Sequence, residues 1–144
     1  MVKEHSDNLK VIPSIPPVQK GYVHSGFGYR KDPFDGKVRF HYGLDFAVNT
    51  GTKVYAPADG KIKFAGRQGG FGNVLKIDHG NGNRTLFAHL SKFKVKQGAQ
   101  VKRGDLVAIS GNTGRSAGPH LHYEVHKYGT PQNPLDYFFS GYLK

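Results

Sequence analysis

The chain has 144 residues, of which 37% are hydrophobic and 22% charged, a size and balance that fit one globular domain and exclude a disordered polypeptide. It contains no cysteine, which excludes a disulfide framework and thiolate metal sites and leaves His, Asp and Glu as the available metal ligands. The net charge is +11 with His neutral, a field that attracts an anionic polymer, whether nucleic acid, acidic lipid or cell-wall material.

In chain order, residues 1–20 read as a lead-in. Pro13, Pro16 and Pro17 exclude regular helix there and favour an extended segment, either a linker remnant or a stretch packed along the edge of a domain spanning 21–144. The first residues lack the apolar core of a signal peptide, so the chain reads either as a protein kept inside the cell or as a mature or trimmed form. No run approaches the length of a membrane span.

From Tyr22 onward the chain reads as short strands and turns. Val54-Tyr55-Ala56 stops at Pro57, and Ala58-Asp59-Gly60 turns into Lys61-Ile62-Lys63-Phe64-Ala65, whose alternation puts Ile62 and Phe64 on one face. A glycine-rich loop covers 66–72. Residues 73–78 alternate again, Gly80-Asn81-Gly82-Asn83 reads as a hairpin turn, and 85–90 pairs back. Residues 106–109 form a short apolar strand, and 120–126 alternate strictly. Gly at 20 and Pro at 8, with abundant Val, Tyr, Phe and Thr, support the same reading. The predicted architecture is all-β: a compact antiparallel barrel-like sandwich with little helix and a narrow groove.

The eight histidines matter through their spacing. In His41-Tyr42-Gly43-Leu44-Asp45, an extended chain turns positions 41, 43 and 45 to one side, and Gly43 leaves room for a shared centre. In His120-Leu121-His122 both imidazoles share a face, while Leu121, Tyr123 and Val125 take the core face; Glu124 and His126 continue the polar side, outside or below the site. His41, Asp45 and either His120 or His122 make a zinc-type donor set, with an open position for water or substrate. His89 reads as a strand-end residue on the face of Thr85 and Phe87, a candidate to polarise water or stabilise an oxyanion beside a metal.

These segments together resemble the M23 metallopeptidase family, of the lysostaphin and LytM type. The resemblance rests on His41 with Asp45, on Ala88-His89-Leu90, on His120-Leu121-His122 and the approach to it from Ser110, on Ser25-Gly26-Phe27-Gly28-Tyr29-Arg30, and on Ala56-Pro57-Ala58-Asp59-Gly60; it covers roughly 22–138. It implies one zinc ion per chain, held by His41, Asp45 and His122, with His89 and His120 as the catalytic pair that does not ligate. It also implies a zinc endopeptidase acting on the peptide stems of peptidoglycan, in the periplasm or elsewhere at the cell envelope. The 25–30 run and the 31–40 insert resemble the D,D-endopeptidases that cut D-Ala–diaminopimelate bridges more than the glycyl-glycine endopeptidases.

Under this reading the 66–72 and 111–118 loops wall the groove. Arg30 is a candidate for a substrate carboxylate or for a structural ion pair, and Asn73 and Asn112 are further candidate substrate contacts. A non-catalytic wall-binding activator of amidases is the alternative class, and the presence of all five key residues argues against it. A nucleic-acid partner is not expected, because Lys and Arg are scattered and no nucleic-acid motif is recognised.

Overall fold

A computed structural model describes residues 10–32 and 34–138; the start of the predicted lead-in, with His5, and residues 139–144 of the predicted domain lie outside them. The strands are β1 (Tyr22–Ser25), β2 (Gly28–Lys31), β3 (Val38–His41), β4 (Leu44–Ala47), β5 (Lys53–Tyr55), β6 (Gly60–Arg67), β7 (Asn73–Gly80), β8 (Asn83–Phe93), β9 (Gln100–Val101), β10 (Leu106–Ser110), β11 (Leu121–Lys127) and β12 (Thr130–Gln132). The named helical elements are two 3-10 turns, Gly69–Phe71 and Pro134–Asp136. No helix among the described residues is long and apolar enough to cross a membrane.

All strand pairs are antiparallel. The main sheet runs β1-β4-β11-β8-β7-β6-β9, with β12 beside β11 and β10 joining β8 to β5; β2 and β3 form a separate hairpin. The expected barrel-like sandwich is therefore corrected: the sheet path ends at β1 and β9, which do not pair, and among the described residues nothing closes it into a barrel. Closure needs a continuous, matched stagger around the ring. The two-residue β9 offers almost no ladder to a partner, and register shifts interrupt the β6–β7, β7–β8 and β8–β10 ladders. Alternation along each strand identifies its faces but carries no information about which outer strands meet.

The main core lies on one side of the sheet. Leu121, Tyr123 and Val125 are fully buried there against Leu44, Phe46 and Phe87, as their alternation in β11 predicts. Burial of an aliphatic side chain of this kind contributes roughly 1.5–3 kcal/mol, which fixes β11 in register and with it the polar residues on its reverse face. That reverse face carries a smaller cluster of Val74, Leu86 and Ala88, with Phe64 and Phe71 packed on it. Ile62 and Phe64 do not share a face. A register shift between them sends Ile62 into the main core and Phe64 to the smaller cluster, because a bulge resets the two-residue period. Within the described part of the lead-in, Val18 joins the main core and the Pro17 carbonyl accepts a hydrogen bond from the Tyr55 N–H at 2.7 Å.

His79 is buried in β7, away from the clusters singled out in the sequence. Its Nδ1–H donates to the Asp59 carbonyl at 2.7 Å and its Nε2 accepts from the Thr85 hydroxyl at 2.8 Å, so the neutral ring satisfies both nitrogens. Burial pushes its pKa below the usual value. A histidine whose folded pKa is lowered contributes stability in full above its unfolded pKa of about 6.5, and that contribution is lost as pH falls through the folded value. In melting curves taken between pH 7.5 and 5, the Tm of His79→Gln relative to wild type is expected to rise as pH falls, because the variant lacks this loss. An identical pH slope in the variant would rule His79 out as a source.

Candidate metal centre

Strand register creates the first ligand pair. Asp45 on β4 is the direct cross-strand neighbour of His122 on β11, and Ala88 on β8 flanks His122 on the other side. His122 thus sits mid-sheet, with Leu121 and Tyr123 on either side of it anchored in the core. His41 arrives differently: it ends β3, and Tyr42 and Gly43 carry the chain out of the β2–β3 hairpin into β4. Residues 41–45 are therefore not the single extended stretch that the alternation argument assumes; the two ligands belong to different sheets. Gly43 makes the passage possible. A Cβ there would run into the Tyr123 carbonyl oxygen and lie 2.9 Å from Glu124 Cγ and 3.1 Å from His122 Cε1.

His41, Asp45 and His122 are all buried and present one ligand atom each within 4.8 Å of one another. His41 Nε2 lies 3.3 Å from His122 Nδ1 and 3.3 Å from Asp45 Oδ2, and His122 Nδ1 lies 2.9 Å from Asp45 Oδ1. Two donors bonded at about 2.0–2.1 Å to a tetrahedral ion stand roughly 3.3 Å apart, so these atoms fit a zinc-sized centre. The far nitrogens are also committed. His41 Nδ1–H donates to the Gly26 carbonyl at 2.8 Å, and His122 Nε2–H donates to Glu124 Oε2 at 2.7 Å. The choice between His120 and His122, open in the spacing, falls on His122.

The electrostatics suit a cation. Burial raises the pKa of Asp45, but hydrogen bonds from His122 and His41 outweigh it and hold the carboxyl well below the usual range. Burial opposes a charge on His122, yet Asp45 and Glu124 push its pKa up to about 9. Glu124 is likewise opposed by burial and brought down to about 2 by His122 and His126. Two buried carboxylates that favour a proton on the imidazole between them also favour a metal ion beside it.

His120 stands just before β11, outside the ligand set. Its Nδ1–H donates to the Gly118 carbonyl at 2.8 Å, and its Nε2 is 3.7 Å from Asp45 Oδ1. His89 faces it, with ring centroids 4.7 Å apart. Strict alternation would bury His89 beside Phe87 in the core, and β8 does not end there but continues to Phe93. The backbone of His89 is in the left-handed region, at φ 62°, where the β7–β8 register shifts. That bulge resets the alternation: Leu90 takes the core position and the His89 imidazole comes to the metal side, its Nδ1–H donating to the Thr113 carbonyl at 2.7 Å. Burial, with the repulsion of His120 and His122, lowers its pKa to about 4, so the ring is neutral at pH 7.

A groove of about 890 Å³ passes over these side chains, lined by Asp45, His89, His120 and His122, by Gly70 and Phe71 of one loop, and by residues 115–119 of the other. Both glycine-containing loops predicted to wall the site do line it. Arg30 lines the groove as well, with Nη2 3.6 Å from Asp45 Oδ2. Asn73 and Asn112 stand outside that lining: the Asn73 amide donates to the Leu90 carbonyl at 3.0 Å, and Asn112 is exposed on its loop. Sequence reasoning put Glu124 outside or below the site and did not single out Phe71. Glu124 shares the His122 face of β11, so the two-residue period carried the signal; Phe71, stacked on His122 at 5.8 Å, comes from a loop and left no periodic trace.

Two imidazoles and one carboxylate drawn from the hairpin and the main sheet, with two further imidazoles beside them, make a donor set of the mononuclear zinc type. The chain belongs to peptidase family M23, whose family model matches residues 39–134. It is 48% identical over 122 residues to the DD-carboxypeptidase/endopeptidase Mpg of Neisseria meningitidis, an alignment covering 85% of this chain and 28% of that protein. The chain thus spans under a third of that relative's length. Among solved structures, a zinc-containing peptidase from Vibrio cholerae matches at a TM-score of 0.79 and 41% identity over 85% of this chain and 39% of the other. The catalytic domain of lysostaphin from Staphylococcus simulans matches at 0.73 and 37% identity, over 81% and 90% of the two chains.

Proposed function

We propose that this chain is a zinc endopeptidase that hydrolyses the peptide cross-links of peptidoglycan, with the D-Ala–diaminopimelate bridge as the bond cut and the cell envelope as its place of action. The observation that carries the reading is the His41, Asp45 and His122 cluster set beside His89 and His120 in one groove. The name of the Neisseria relative supports the D,D choice over glycine bridges. The net charge of +11 suits an anionic wall.

His41 Nε2, an Asp45 oxygen and His122 Nδ1 would hold the zinc, which when bound supplies Lewis acidity toward a carbonyl oxygen and acidifies water. His89 and His120 each tie Nδ1 to a backbone carbonyl, which fixes the ring and leaves Nε2 as the working nitrogen. One of these two imidazoles accepts a proton from the attacking water at Nε2. The paired imidazoles also supply hydrogen bonds to the charge that develops on the scissile carbonyl and return a proton to the leaving amine. Phe71 and the 115–119 segment flank the peptide and reduce water access. Arg30, which lines the groove beside Asp45, would meet a stem carboxylate.

Zinc-loaded protein incubated with purified diaminopimelate-type sacculi is expected to convert cross-linked dimers into monomeric muropeptides, and chelator is expected to stop it. Mass spectrometry of the fragments identifies the bond. Release from pentaglycine-bridged wall alone would overturn the D,D assignment, and no release from either wall would overturn the enzyme reading.

A further inference from the structure

We propose that Glu124 is the positioning residue of the metal centre, holding His122 as the Nε2–H tautomer so that Nδ1 is offered to the metal, and that His126 in turn holds Glu124. The inference rests on the zinc-site reading above and deepens it. On β11 the residues 122, 124 and 126 fall on one face at two-residue spacing. Glu124 Oε2 accepts from His122 Nε2–H at 2.7 Å, and Glu124 Oε1 accepts from His126 Nε2–H at 2.7 Å, so both carboxylate oxygens are engaged. The first contact is charge-assisted and buried, with Glu124 6% exposed and His122 8% exposed.

The contact selects a nitrogen. An imidazole that donates from Nε2 has only Nδ1 left for a metal, and Nδ1 is the atom that faces His41 Nε2 and Asp45 Oδ1. Glu124 is itself over-determined. It lies opposite Leu86 in the β8 ladder, Phe71 stacks on the imidazole it holds, and Gly43 supplies the space in which its Cγ and the His122 ring lie together. His126 is half-buried at the outer end of this row and fixes the carboxylate from the solvent side. The row His126, Glu124, His122 thus runs from the sheet's rim to the ligand triad.

The test measures zinc affinity by competition with a chromophoric chelator, alongside the d–d spectrum of the cobalt-substituted protein; neither depends on cleavage. Glu124→Ala is expected to weaken zinc binding by about 10–100-fold, the usual cost of removing an outer partner of a ligating histidine. Glu124→Gln keeps an acceptor oxygen and falls between wild type and Glu124→Ala. His126→Phe leaves Glu124 in place and shows a smaller loss than Glu124→Ala. Both Glu124 variants shift the cobalt bands. Unchanged zinc affinity and cobalt spectrum in folded Glu124→Gln and His126→Phe would overturn the proposal while leaving the zinc peptidase intact. A wild-type chain that binds no zinc would overturn both.

Discussion

His122→Ala is expected to bind no stoichiometric zinc and to cut peptidoglycan at least about a thousandfold more slowly, because losing a ligand must exceed the ~10–100-fold cost of losing a ligand's outer partner. It is also expected to unfold more readily. His122 stands between the carboxylates of Asp45, at 2.9 Å, and Glu124, at 2.7 Å, all three buried. Removing the imidazole leaves two buried acids without the group between them, a break that costs about 3–5 kcal/mol when a buried ion pair loses one member. His120→Ala behaves otherwise. Its ring is held at the loop, through Nδ1 to the Gly118 carbonyl and Ser116, and its Nε2 stands 3.7 Å from Asp45 Oδ1, too far for a hydrogen bond, so zinc content and Tm should stay near wild type. Cleavage should fall by about 10²–10⁴-fold, as for a lost general acid or base. Elemental analysis, melting curves and muropeptide release on the two variants separate the two roles. Wild-type zinc in His122→Ala, or a zinc-free His120→Ala, would reverse the ligand assignment.

That contrast marks where the sequence stops being informative. The spacing of His41, Asp45, His120 and His122 identifies the donor types and brings two clusters toward one centre, because residue type and period are local properties. Which histidine ligates depends on which atoms face across strands, and only the Asp45 to His122 register decides that. The strand positions from residue 61 to 109 were equally legible: the predicted stretches at 61–65, 73–78, 85–90 and 106–109 all lie within observed strands. What alternation could not supply were its own interruptions. The shift between Ile62 and Phe64, the crossing from hairpin to main sheet at Gly43, and the bulge at His89 each reset which face a side chain takes. The barrel expectation failed for a related reason, since pairing between distant strands leaves no local pattern.

The bulge at His89 carries the second large effect. A residue with a Cβ in the left-handed region costs roughly 1–2 kcal/mol relative to ordinary backbone. His89 holds φ 62° because its neighbours demand it: Ala88 is paired to His122 on β11, and Leu90 is buried in the core one step later. The strain sends the imidazole to the groove instead of the core. His89→Ala keeps that strain and loses the bond to Thr113, about 1 kcal/mol. His89→Gly loses the same bond but removes the Cβ penalty, offset by roughly 0.5–1 kcal/mol of added chain entropy. The glycine variant should therefore be the more stable of the two by about 0.5–1 kcal/mol, the reverse of the usual order within a strand. In a domain of this size that is a Tm difference of about 2–4 °C. Both variants lack the imidazole, so both should lose about 10²–10⁴-fold in cleavage while keeping zinc. Stability that differs while activity does not would separate the cost of the backbone from the work of the side chain. An alanine variant melting at or above the glycine one would mean that position 89 is not left-handed, and that some other distortion brings the imidazole to the metal.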